Sequence, residues 1–222
     1  MGKNVGEILD LAARESLFSR ISPKLPLTFP GRMLEKDIES IVINLSESPD
    51  APRYPYHNLS HTKSVVAHTK EMAAFYALDA SNIFIVTTAA WFHDIGHLCG
   101  GIEGHEERGV QIMKKYVQDV APAVLTTIGE CIMATRFPSR PGTPLEGIIC
   151  DADTYHFGTS YFRLTDDLVH QEMELRTGCV IAHWREKSLQ LLKEHRFFTG
   201  YCKTKLGEGK RENIAWLESS IQ

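Results

Sequence analysis

A chain of 222 residues with 43% hydrophobic and 23% charged residues sits near the globular average, which excludes wholesale disorder and allows one sizeable core. Its 24 Lys and Arg against 28 Asp and Glu leave a net charge of −4, so there is no basic surplus of the kind that a nucleic-acid backbone demands. No run approaches the ~18 consecutive apolar residues of a membrane span, the opening MGKNVGEILD has no apolar signal core, and five cysteines without a CxxC pair point to reduced thiols in a cytoplasmic protein.

In chain order, residues 6–19 and 31–46 carry apolar positions at helical spacing on either side of the Pro-rich SPKLPLTFP. Residues 47–56, with three prolines, are a loop. A long helix is expected over about 60–78, where His61, Val65, His68, Met72 and Phe75 recur on one face. Residues 81–97 start at Ser81, an expected N-cap, and run through IFIVTTAAWF into a polar end. Helical patterns follow at 105–118, 121–135, 159–177, 180–195 and near 210–220. IFIVTT and VLTTI are β-branched, but helical neighbours favour helix there too. The expectation is an all-α bundle of about nine helices. No composition shift marks a second domain, so residues 1–222 read as one unit. Its motif core spans about 54–160, and the helices of 1–46 and 160–222 pack on that core.

Three segments put metal-ligand residue types beside apolar runs: YHNLSH at 56–61, AAWFHDIGH at 89–97 and IICDAD at 148–153. A lone histidine on an apolar face is ordinarily a satisfied core residue. FHDIGH departs from that default, because an apolar run delivers His93, Asp94 and His97 together, with His93 and His97 one helical turn apart. Such groups are costly to bury unless they are paired or hold a metal. His61 adds an imidazole on the core-facing stripe of its helix, and the DAD adds a carboxylate at the inner end of a buried run. Two imidazoles and two carboxylates suit a divalent Zn, Mn, Fe or Mg ion, which supplies an activated water when coordination positions stay open.

The order H…HD…D resembles the HD superfamily of metal-dependent phosphohydrolases. YHNLSH, AAWFHDIGH, Asp-Ala-Asp and the ending HRFFTGYCKTKLGEGKRENIAWL are similar to the small predicted HD phosphohydrolases, over about residues 30–218. YHNxxH with HDxxH is also similar to the core of cyclic-nucleotide phosphodiesterases, although no counterpart of their C-terminal glutamine and purine clamp is evident. The resemblance implies an all-α HD-domain bundle with one or two divalent cations held by His61, His93, Asp94 and Asp153. Asp153 is preferred to Asp151 because the family motif is Ala-Asp, and Asp151 becomes a cap or a supporting residue. It also implies hydrolysis of a phosphomonoester or phosphodiester of a nucleotide, with Asp94 and His57 catalytic. His57 matches the phosphodiesterase histidine that protonates the leaving oxygen, a role open to an imidazole near neutral pH.

His97, His105 and Glu106 are candidates for a second metal or its water, and Arg136 for phosphate. Against these stand a helix N-terminus that welcomes Glu106 and Glu107 and a plain surface arginine. Asn58 is expected to cap its helix, and His68, roughly 10 Å beyond His61 along the axis, to pack in the core. A small phosphate ester is the expected partner, with no membrane and no strong nucleic-acid signal, and the sequence does not give the oligomeric state. The alternative activities are a cyclic-nucleotide phosphodiesterase and an HD-fold di-iron oxygenase, the latter requiring more histidine ligands than the motif supplies.

Overall fold

The computed structural model describes residues 35–221, so the helix expected at 6–19 and the first residues of that at 31–46 lie outside it. Nine α-helices follow one another among the described residues: α1 (Glu35–Ser46), α2 (Leu59–Phe75), α3 (Ala80–Phe92), α4 (His105–Tyr116), α5 (Pro122–Ala134), α6 (Pro144–Asp153), α7 (Phe162–Thr177), α8 (Trp184–Glu194) and α9 (Gly200–Ile221). Short 3₁₀ turns occupy Ile95–Leu98 and Tyr155–Gly158, and no strand occurs among the described residues.

Helix α3 is the axis of the bundle, packed by α1, α2, α4, α5 and α6. That surround explains why IFIVTT is helical: with Ile85 through Phe92 all buried, tertiary packing overrides β-propensity. The N-cap of α3 is Asp79 rather than Ser81. The Asp79 carboxylate accepts the Asn82 N–H at 2.9 Å, and Ser81 is buried in the first turn. The expected continuous helix to His97 is also corrected. Helix α3 ends at Phe92, Asp94 takes φ −103° and ψ 0°, and a 3₁₀ turn carries His97. Gly96 permits this, since a Cβ there would stand 1.9 Å from the His105 carbonyl oxygen. The turn therefore presses directly on the start of α4.

Helix α6 was absent from the expected helices. Its signal is Thr143-Pro144-Leu145-Glu146: the Thr143 hydroxyl accepts the Glu146 N–H at 3.3 Å, and Pro144 fits the first helical position. Helix α9 begins ten residues earlier than expected. Gly207 and Gly209 argue against a helix by propensity, yet α9 crosses the Tyr155–Gly158 turn so closely that a Cβ on Gly209 would lie 2.1 Å from the Gly158 carbonyl oxygen. All five cysteines are free thiols. No helix among the described residues is long and apolar enough to cross a membrane.

Candidate metal centre

The Asn58 side chain caps α2 as expected, accepting the N–H groups of Ser60 at 2.9 Å and His61 at 3.3 Å. This fixes His57 just before the helix and His61 in its first turn. His61 stands at the edge of the buried stripe, whose centre is Thr62, Val65, Val66, Thr69 and Met72. From there it faces the end of α3 and the end of α6.

His61, His93, Asp94 and Asp153 converge, each offering one ligand atom within 4.8 Å of every other. The Nε2 atoms of His61 and His93 are 3.3 Å apart. Asp94 Oδ2 lies 3.2 Å from His61 Nε2 and 3.1 Å from His93 Nε2, and Asp153 Oδ1 lies 3.2 and 3.5 Å from the same two atoms. Bonds of about 2.1 Å to one cation place neighbouring ligand atoms about 3.0–3.5 Å apart, so the spacing fits a single divalent ion. Two further observations agree. His93 Nδ1 donates to the Ala90 carbonyl at 2.9 Å, leaving the Nε2 lone pair turned inward. Asp94 Oδ2 is buried and has no hydrogen-bond partner, which a cation would resolve. Burial alone would raise the Asp94 and Asp153 carboxyls, but the facing imidazoles hold both below the usual carboxylate range. Conversely, burial opposes protonation of His61 and His93, and the two carboxylates outweigh it and raise both.

Asp151 is not part of the cluster. It is fully buried and accepts the backbone N–H groups of Phe198 and Thr199, each at 2.8 Å, and the Thr199 hydroxyl at 2.6 Å. It ties the segment before α9 to α6.

His57 donates from Nδ1 to Glu172 Oε1 at 2.6 Å, and its backbone N–H reaches Glu172 Oε2 at 2.8 Å. Glu172 is fully buried on α7, and Arg176 Nη1 contacts the same carboxylate at 3.0 Å. Arg176 also donates from Nη1 to His97 Nδ1 at 3.0 Å. An arginine has no acceptor, so His97 carries its proton on Nε2, an atom that is buried and unpartnered. Burial lowers His97 to about 3, so the ring is neutral near pH 7. In this tautomer His97 is a donor near Asp94 Oδ1 (3.9 Å), and His57, Asp94 and His97 also form a second group whose ligand atoms lie within 4.8 Å of one another. His105 is the opposite case. Its Nδ1 donates to the Ile102 carbonyl at 2.9 Å, and Nε2 lies 3.6 Å from Asp94 Oδ1 and 3.5 Å from Glu106 Oε1.

Arg136 is half exposed and paired with both Glu106 and Glu107, so its charge is already engaged. His68 is not a core residue: its side chain is 30% exposed and stacks flat on Tyr155. Sequence reasoning missed Glu172 and Arg176. The signal lies in α7, where Glu172 falls on the buried register of Phe162 and Thr165, and a carboxylate at an inward position needs a partner.

Residues 58–158, which span all four converging side chains, match the family model of the HD domain. This segment carries the sequence pattern of an HD domain. As a family, HD domains are metal-dependent phosphohydrolases, and the His/Asp cluster of this one could hold such a metal. No curated protein and no solved structure matches the chain.

Proposed function

We propose that the HD domain hydrolyses a phosphate ester of a nucleotide, with His61, His93, Asp94 and Asp153 holding one divalent cation. The observation that carries this is the set of four inward ligand atoms at mutual distances expected around a single ion. When bound, Zn, Mn, Fe or Mg there supplies an activated water and neutralises charge on the phosphoryl oxygens.

The remaining work falls to the chain. Glu172 orients the His57 ring by accepting from Nδ1, which turns Nε2 away from the carboxylate. From there His57 delivers a proton to the departing oxygen. His97, held as the Nε2–H tautomer by Arg176, donates to an oxygen of the substrate or of the attacking water. His105, with Nε2 facing Asp94 and Glu106, is the group positioned for a second ion.

Metal analysis of protein purified without added metal, followed by a screen of nucleotides and generic phosphate esters with and without chelator, tests the proposal. At least one bound ion per chain and chelator-sensitive hydrolysis are expected. Activity that survives complete metal removal overturns it.

A further inference from the structure

Two of the cavities that reach the cluster differ in chemistry and meet at Asp153. The larger, about 490 Å³, opens past His61 and Asp153. Its wall carries the hydroxyls of Ser60, Ser64 and Thr159, and His68 lies on Tyr155 with ring centroids 3.6 Å apart and planes 3° from parallel. The smaller, about 270 Å³, opens past His57 and Asp153 and is walled by Phe157, Phe162, Val169, Trp184 and Leu191. Tyr56, Asp153 and His156 border both.

We infer, on the basis of the phosphohydrolase proposal above, that the substrate is a phosphodiester with two unlike arms. The leaving alcohol has an apolar body seated in the aromatic cavity, and the retained arm is a polar group of nucleoside size in the larger one. Three observations carry this. A phosphomonoester has one organic arm and would use one cavity, whereas both cavities reach the same carboxylate, Asp153. His57 borders the aromatic cavity and not the larger one; the third opening it borders, of about 280 Å³ beside Asp94, does not reach Asp153. The group that protonates the leaving oxygen must stand beside that oxygen. Finally, the neutral and acidic side chains of the aromatic cavity are already paired, which leaves Lys187 at its edge as the charged group that lines it. Thr154 donates to the Cys150 carbonyl, Ser188 donates to Asp166, and Asp166 also accepts from Trp184 and Arg185. A leaving group rich in hydroxyls would find few free partners there.

In the reaction the oxygen of water bonds to phosphorus and the P–O bond to the leaving alcohol breaks. Water supplies the hydroxyl that joins phosphorus and, through exchange at His57, the proton that ends on the alcohol. The products are a phosphomonoester of the retained arm and the free alcohol.

The test uses thymidine 5′-phosphate esterified with methyl, propyl or benzyl alcohol, whose leaving abilities are similar, beside methyl and benzyl phosphate as monoesters. The expected kcat/KM rises about four-fold per methylene equivalent buried, and each diester exceeds its monoester. Val169→Trp, which fills the aromatic cavity, should bring the benzyl-to-methyl ratio toward one, and a ratio is insensitive to partial unfolding. Independently of turnover, benzyl alcohol added to the metal-free protein should shift the indole N–H resonance of Trp184 and not those of Trp91 and Trp216. Hydrolysis without apolar preference, monoesters cleaved as well as diesters, or an unmoved Trp184 signal would overturn the substrate assignment alone. Hydrolysis of no ester by metal-loaded protein overturns the phosphohydrolase proposal and the assignment with it, even when Trp184 responds.

Discussion

Arg176 donates to Nδ1 of His97 across 3.0 Å while pairing with Glu172, which in turn receives the His57 Nδ1 proton. One guanidinium and one carboxylate on α7 thereby set the tautomers of two histidines, His57 just before α2 and His97 in the 3₁₀ turn after α3. The two rings lie with centroids 4.5 Å apart yet face the cluster with opposite hydrogen-bonding characters. His57 gives its Nδ1–H to Glu172 and keeps Nε2 clear of that carboxylate, whereas His97 presents Nε2 as a donor.

Arg176→Met should release His97 to flip its tautomer and offer a lone pair. The expected outcome is a larger metal content per chain at fixed Zn or Mn and a loss of activity of about 10–100-fold, the usual cost of removing an orienting partner. Elemental analysis beside steady-state kinetics checks this. Unchanged metal content together with unchanged turnover would show that the Arg176 contact is merely structural.

Asp151 and Asp153 separate cleanly by partner. Asp153→Asn should lose metal and activity while the fold survives, because the carboxylate meets His61 and His93 at the cavity walls rather than tying elements together. Asp151→Ala leaves three donors of Phe198 and Thr199 unmet. It should therefore cost about 2–4 kcal/mol in chemical denaturation with metal stoichiometry intact. If metal is lost from the Asp151 variant and kept by the Asp153 variant, the ligand assignment is reversed.

The helical class and the convergence of His61, His93, Asp94 and Asp153 were legible because periodicity and motif order are local properties of the chain. Glu172 and Arg176 were not, because their partners lie 115 and 79 residues away at His57 and His97, and a carboxylate on an amphipathic helix ordinarily faces water. Helix α9 was half missed for a different reason: Gly207 and Gly209 lower propensity in isolation, and the close crossing at Gly158 that calls for Gly209 is tertiary. Gly209→Ala, despite its better helix propensity, should therefore destabilise the protein by about 1–3 kcal/mol through overpacking. Thermal and urea melts read it, and a stabilised variant would remove that explanation for the glycine.

Glu172 also predicts a pH dependence. Burial would raise its carboxyl, but hydrogen bonds from the His57 ring and from the His57 and Tyr56 backbone hold it at about 2, below the ordinary value of 4.5. A depressed folded value stabilises the protein above pH 4.5, and that contribution is lost as pH falls toward 2. Glu172→Gln should thus be less stable than the parent at pH 7, with the gap closing between pH 4.5 and 2. Denaturation with chelator present throughout keeps metal release out of the comparison. A gap that stays constant over that range would mean the carboxylate charge is not what stabilises.

The last prediction distinguishes His57 from His61, two imidazoles one turn apart with ring centroids separated by 5.9 Å. His61 points Nε2 at Asp94 and Asp153, both 3.2 Å away, and its replacement by Ala should remove metal and all turnover alike. His57 is held by Glu172, borders the aromatic cavity and keeps 23% of its side chain exposed, so its replacement should leave metal content unchanged. Turnover of alkyl esters by His57→Ala should fall by roughly 10²–10⁴-fold, the worth of a positioned general acid. For a nitrophenyl ester, whose leaving group departs without a proton, the loss should shrink to under about ten-fold. Glu172→Gln, which disturbs the orientation of the ring without deleting it, should show the same dependence on leaving group at smaller amplitude. Equal losses for alkyl and nitrophenyl esters in His57→Ala would make His57 a binding residue and move the proton donor elsewhere, with His97 Nε2–H the next group in reach.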